Sequence, residues 1–287
     1  MCSSDLVTML EGTSTASNSG NIRVQASTTG NLTVGVIDAR SAADRSGNTL
    51  TDQGTWGAVS LVSNASILDT TESSVLVDVY AGEFRLNAAT GVGASGNHLE
   101  TEVAKVSAAV NSTGLFILES TAVEVTQTAA IPVNRVASNA STTTVDSTDA
   151  IQSDFMITGD LVLQTTAGAI TVSEGDTDTG TLGISASGNI LLTAGGTSNI
   201  KNDADVISTG GHISLNASQD ILQNADITAQ ASGKTIDLLA SRHITMAQTT
   251  SSTTTNNGDI SLVATSGDVT IETLAAGTKN KIGRAHV

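Results

Sequence analysis

The chain has 287 residues, 39% of them apolar and 2% aromatic, with one Pro and one Cys. Counting the 27 Gly as apolar raises the fraction to about 48%, ordinary for a globular chain and too high for wholesale disorder. Acids outnumber bases 28 to 12, a net charge of −16, which argues against nucleic acid as a partner, and no apolar run approaches the ~18 residues of a transmembrane helix, so membrane insertion is not expected.

Both ends read as sequencing artefacts. Ile282-Gly283-Arg284-Ala285-His286-Val287 can be encoded by ATC GGA AGA GCA CAC GTC, the start of a common short-read adapter. Its reverse complement translates to the Cys2-Ser3-Ser4-Asp5 run at the other end, with GTG as the start codon. Residues 1–6 and 282–287 are therefore expected to be adapter-derived scars around an internal fragment, and they are set aside from fold reasoning. Cys2, the single cysteine, goes with them, which leaves no disulfide or thiol chemistry to argue from.

Within residues 7–136 short strand-like phrases come first: GNIRVQA at 20–26, GNLTV at 30–34, SVLVDVY at 74–80 and EFRLNA at 83–88. Each alternates apolar and polar residues, the mark of a strand with one aliphatic face. Gly91-Val-Gly93-Ala-Ser-Gly96 then matches the dinucleotide-binding pattern G-x-G-x-x-G. Arg85 and Asn87 in the preceding strand do not suit a buried parallel strand, and no alternating βα units follow, so a turn entering an inserted helix is the better reading. That one short helix is expected near residues 98–110, because Leu99, Val103, Val106 and Val110 fall at i, i+4, i+7 and i+11 with Asn97 as N-cap. LFILE at 115–119 and AVEVT at 122–126 close this irregular β-helical half, and the polar stretch 137–153 reads as a loop or seam.

Residues 154–281 are more regular. The phrase recurs as GDLVLQT at 159–165, GNILLTA at 188–194, GHISLNA at 211–217, GKTIDLLA at 233–240, GDISLVA at 258–264 and GDVTI at 267–271. The starts at Gly188, Gly211, Gly233 and Gly258 recur at a nearly constant interval, and further aliphatic stretches such as Asp220-Ile221-Leu222 and Ala225-Asp226-Ile227 lie between them. Three short strands in about 22 residues make one coil of a parallel β-helix, whose period-two face only a neighbouring coil can bury. The fold class expected is all-β: a right-handed parallel β-helix or solenoid, about 12 coils and ~60 Å long at the spacing of β-strands. Residues following the opening Gly run Asp160, Asn189, His212, Lys234, Asp259, which avoids an unbroken acidic ladder.

These phrases resemble the β-helical shafts of large bacterial surface adhesins of the filamentous-haemagglutinin type, over most of residues 20–276. The block 82–120 resembles a stretch of the same giant proteins in which a short helix interrupts the strands. The resemblance implies a non-catalytic structural and adhesive segment, secreted or displayed at the bacterial cell surface. It also implies partners in the flanking coils of the same long chain and in surface glycans or proteins.

Other chemistry is sparse. Glu174-Gly-Asp176-Thr-Asp178 and Asn202-Asp203-Ala-Asp205 place oxygens close together in turns, which makes Asp176, Asp178, Asp203 and Asp205 calcium candidates, although neither run matches an EF-hand loop. His98, His212 and His243 have no metal-ligand spacing, and Ser198-Asn-Ile-Lys201 is a chance match to the serine–lysine pattern. Asn64, Asn139 and Asn216 open glycosylation acceptor triplets. Two alternatives stand beside the shaft. A carbohydrate-active β-helix would draw on acids such as Asp203, Asp205 and Asp226, with Trp56 and Tyr80 for stacking; the other is a pair of calcium-dependent β-sandwich modules. No catalytic residue and no organic cofactor is assigned.

Overall fold

The computed structural model describes residues 6–10, 12–46, 53–70, 76–144, 149–175, 180–255, 257–277 and 282–283. Among them the chain is nearly all β, and 29 strands join in one sheet that winds round the molecule. Every strand pairing in that sheet between successive circuits is parallel, as at Ile213↔Ile236 and Ile221↔Ile244. The chain is thus a parallel β-solenoid with three faces per circuit. In the regular half the first face holds Asp205–Ser208, Ile227–Ala229 and Ser251–Thr254. The second holds Ile190–Ala194, Ile213–Ala217, Ile236–Ala240 and Ile260–Ala264. The third holds Ile200–Asn202, Ile221–Gln223 and Ile244–Met246.

The recurring phrase maps onto this geometry position by position. Ile190, Ile213, Ile236 and Ile260 stack in register inside the second face, Leu192, Leu215, Leu238 and Leu262 form the next ladder, and Ala194, Ala217, Ala240 and Ala264 the third. All are at most 3% exposed. The circuits between the four Ile are nearly equal in length, so the rungs keep one register. The opening glycine is demanded by the approach of neighbouring coils. A Cβ on Gly211 would lie 2.2 Å from the backbone carbon of Gly188, and one on Gly188 would lie 2.7 Å from that of Gly159.

The polar residue after that glycine fastens one coil to the next. Asp160 Oδ1 accepts from the Asn189 amide at 2.7 Å, Asn189 Oδ1 from the His212 amide at 2.9 Å, and His212 Nδ1 from the Thr235 amide at 3.1 Å. A parallel row runs through Asn199, Asp220 and His243, each accepting the amide one circuit on. Short polar side chains at these points satisfy backbone donors that the strand ladders leave at each corner.

The expected helix at 98–110 is not there. Leu99–Val110 is a single 12-residue strand, paired with Val79–Ala88 from Thr101↔Val79 to Val110↔Ala88. Leu99, Thr101 and Val103 point inward, then Val106, Ala108 and Val110 do. The strand turns a corner at Ala104–Lys105, and this reverses the phase of its period-two pattern. Two alternating runs in opposite phase reproduce the 4-3-4 spacing of a helix. The one α-helix among the described residues is Ala42–Ser46.

On the second face, eleven strands stack among the described residues. Ten steps at ~4.8 Å give about 48 Å, shorter than the expected ~60 Å. Two excursions account for the difference. Leu32 pairs with Ile67 and Leu115 with Leu161, so these two circuits carry extra chain between their rungs, the second more than the first.

Candidate functional site

The described parts of the two excursions fold back over the outer surface of the N-terminal half, and beneath them polar side chains converge in enclosure. On the first face the outward row reads Arg23, Ser60, Arg85, Ser107, in register on four successive rungs. Residues of the second excursion, described over 126–144 and 149–153, lie across it. Among them Asp149 takes a two-pronged grip from Arg23, Nε to Oδ2 at 2.9 Å and Nη2 to Oδ1 at 3.1 Å, and accepts from Ser60 Oγ. Burial would raise the Asp149 carboxyl, but these hydrogen bonds outweigh it and hold the group below the usual carboxylate range. Further along, Ser107 Oγ and Thr128 Oγ1 are 2.7 Å apart, Gln152 Nε2 donates to Leu86 O at 2.9 Å, and Ile131 is wholly buried. Arg85, in the same row, has Nη1 3.9 Å from Asp149 Oδ1; burial lowers its pKa, partly offset by Asp149.

The described parts of the first excursion, residues 40–46 and 53–57, cover the third face. Arg40 stacks on the Tyr80 ring at 3.6 Å while its Nε and Nη2 donate to Asp38. Trp56 meets Tyr80 edge-on at 6.4 Å and donates through Nε1 to Asp44 at 2.9 Å. Gln53 reaches Thr121 Oγ1 at 2.8 Å and Glu102 at 3.4 Å, and burial raises the Glu102 carboxyl. Trp56 is 5% exposed, so its face packs inward and offers no platform to a sugar.

Between the excursions lies a cavity of about 330 Å³ lined by Trp56, Gly82, Glu83, Lys105, Ala129 and Ala130 among others. Its floor is low because Gly82 has no side chain: a Cβ there would sit 2.7 Å from Trp56 O. Glu83 and Lys105 are paired on adjacent rungs, with Glu124 on the far side of Lys105. Glu83 Oε2 accepts the Ala129 amide at 2.7 Å. The cavity therefore joins an apolar wall to one acid and one base, at the small end of the ~300–1,000 Å³ typical of ligand pockets.

Two carboxyl sites are buried deeper. Glu119, wholly enclosed, heads the column that continues as Thr165, Ala194 and Ala217. It accepts from Thr101 Oγ1 at 2.7 Å, Thr121 N at 2.9 Å, Thr121 Oγ1 at 3.0 Å and Val103 N at 3.1 Å, yet burial pushes its pKa up to about 8. Asp69, Asp78 and Glu100 meet with carboxylate oxygens within 4.8 Å of one another. Burial and then the charge of Asp69 push Asp78 up to about 9, so Asp78 is protonated at neutral pH and eases the repulsion. This triad offers oxygen donors of the type hard cations take.

Of the calcium candidates read from the sequence, Asp176 and Asp178 lie outside the described residues. Asp203 pairs with Lys201 Nζ at 2.6 Å and accepts from Asn224 at 2.7 Å. Asp205 accepts from Thr181 Oγ1 at 2.7 Å and from the Asp226 amide at 2.9 Å, and Asp226 in turn accepts from the Ser251 amide. These acids serve coil-to-coil fastening on the first face. Gly91–Val92 is a short strand of the second face, and the turn that follows, closed by Ala94 and Asn97, leads into another strand, so no helix N-terminus meets a phosphate there. Sequence reasoning missed the acidic triad and the Arg23–Asp149 network. Asp78 and Glu100 lie one coil apart along the chain, which was the available signal.

No family model matches the chain, and no curated protein or solved structure matches it. The class the fold defines is the parallel β-solenoid.

Proposed function

We propose that this chain is a non-catalytic structural and adhesive segment of a large secreted or cell-surface bacterial protein, a shaft that extends and displays binding regions. The observation that supports it is the unbroken aliphatic stack, from Leu32 on the second face to Ile260, with coil-to-coil polar rows on its outside. Such a stack buries nothing but its neighbours and lengthens by repetition. The acidic surface favours mutual repulsion of shafts over collapse. The competing carbohydrate-active reading has one foothold, the cavity that sets Glu83 beside Lys105.

The test runs both readings together. The purified chain, immobilised on beads, is presented to glycan- and protein-coated surfaces, and soluble polysaccharides are assayed for cleavage in parallel. Retention on a surface without turnover supports the shaft reading. Turnover that Glu83→Gln abolishes would replace it.

A further inference from the structure

The cavity of about 330 Å³ beside Gly82 is walled by Ala58, Ala104, Ala129 and Ala130, which bring no polar side chain to it. Most of its polar side chains are already spent. Asn21 is engaged at both ends: Nδ2 donates to Pro132 O at 3.1 Å, and Oδ1 accepts from the Ala58 amide at 3.1 Å. Trp56 Nε1 donates to Asp44. Glu83 gives Oε2 to the Ala129 amide at 2.7 Å, and its other oxygen has no partner among the described residues. Lys105 is exposed and forms no ion pair among the described residues, although Glu83 and Glu124 sit on the rungs either side of it. Among the described lining residues a ligand therefore meets two free polar side-chain groups, one carboxylate oxygen and one ammonium, on adjacent rungs.

We propose that this cavity binds an α-amino acid with an apolar side chain, its carboxylate on Lys105 and its ammonium on the free oxygen of Glu83. The class follows by elimination. A simple carboxylate would meet Lys105 but be repelled by Glu83, and a simple amine would meet Glu83 but be repelled by Lys105. A sugar carries hydroxyls on all sides, for which two free side-chain groups are too few, and each one left unpaired costs binding energy. Trp56, 5% exposed, gives a sugar ring no stacking face either. A zwitterion confines both charges to one end, where each makes a charge-assisted hydrogen bond, and turns its apolar body toward the alanines. The proposal goes beyond the shaft reading and needs neither adhesion nor turnover.

The full chain is titrated calorimetrically with L-leucine and L-phenylalanine, then with the deaminated acid and the decarboxylated amine of whichever binds. The expected result is saturable binding of at least one amino acid, with a Kd on the order of 1 mM or tighter for a ligand this small. Each truncated relative should bind at least about tenfold more weakly, and so should the amino acid to Lys105→Met. Lys105 is exposed, so this variant should keep the fold, which circular dichroism checks. Should it fail to fold, Ala130→Leu, at another exposed lining position, serves instead by filling the cavity, and it should abolish binding. No saturable binding of either amino acid overturns the proposal. So does equal binding of a truncated relative, or binding that survives unchanged in the folded variant. None of these outcomes depends on whether the chain adheres to a surface, so failure here and failure of the shaft reading are told apart.

Discussion

Replacing Ile213 with Ala removes three carbons from the middle of the second-face Ile ladder. Ile213 pairs with Ile190 on one side and Ile236 on the other, and all three are at most 1% exposed. At ~0.8 kcal/mol for each buried carbon the transfer loss is about 2.4 kcal/mol. The neighbouring rungs are held apart by backbone hydrogen bonds and close little of the space, so the residual cavity adds about 1–2 kcal/mol. The expected loss is about 3.5–4.5 kcal/mol. The adjacent Ser214 points outward in the same strand, and Ser214→Ala should stay within about 0.5 kcal/mol. Urea unfolding followed by far-ultraviolet circular dichroism measures both. Since coils couple chiefly to their nearest neighbours, Ile213→Ala should also broaden the transition as the coils beyond it melt first. Equal midpoints for the two variants would refute the inward ladder on which the fold rests.

Gly211→Ala drives a Cβ into the Gly188 backbone and should cost about 1–3 kcal/mol, whereas Gly96, with open space around it, should accept Ala almost without loss; thermal melts compare them. Glu119, at about 8, and Asp78, at about 9, both titrate above their unfolded values, so their contribution is complete below the ordinary carboxylate range and is lost as pH rises toward 9. Asp149 and Asp220 are held low and lose their contribution in acid, so stability should peak at about pH 5 and fall on both sides, and Glu119→Gln should flatten the alkaline fall; a pH series of melting temperatures checks this. Asp149→Asn leaves Arg23 and Arg85 without a counter-charge and should cost about 3–5 kcal/mol locally, seen as faster proteolysis of segment 126–153 while the C-terminal coils stay intact.

The regular coils were legible because each phrase repeats the same chemistry: glycine at the close approach, a short polar acceptor, then Ile, Leu and Ala ladders. The helix expected at 98–110 shows where that logic fails. Periodicity reports phase only within a straight segment, and the corner at Ala104–Lys105 reverses the phase with no Gly or Pro to mark it. The outward row of Arg23, Ser60 and Arg85 was equally hidden, because its members sit on separate coils and acquire a partner only when Asp149 folds back from a polar stretch. Arg85 and Asn87 looked wrong for a buried strand, and the structure explains them: they point away from the stack, under a cover that the local sequence does not announce. Glu119 is hardest to foresee, since its position belongs to a column otherwise filled by small residues.

The direction of the interstrand hydrogen bonds has a mechanical consequence. They run from coil to coil, along the stacking direction, so a pull between the two ends loads them in tension and concentrates the load on the outermost rung. Such a shaft peels one circuit at a time instead of failing at once. Each regular circuit released, about 23 residues, adds roughly 75–83 Å of contour at the ~3.3–3.6 Å per residue of extended chain, against the ~4.8 Å it contributed when stacked. A segment only about 48 Å tall thus stores several hundred ångströms of extensible length, released in small steps, with the longer circuits around 40–57 and 126–153 giving the largest ones.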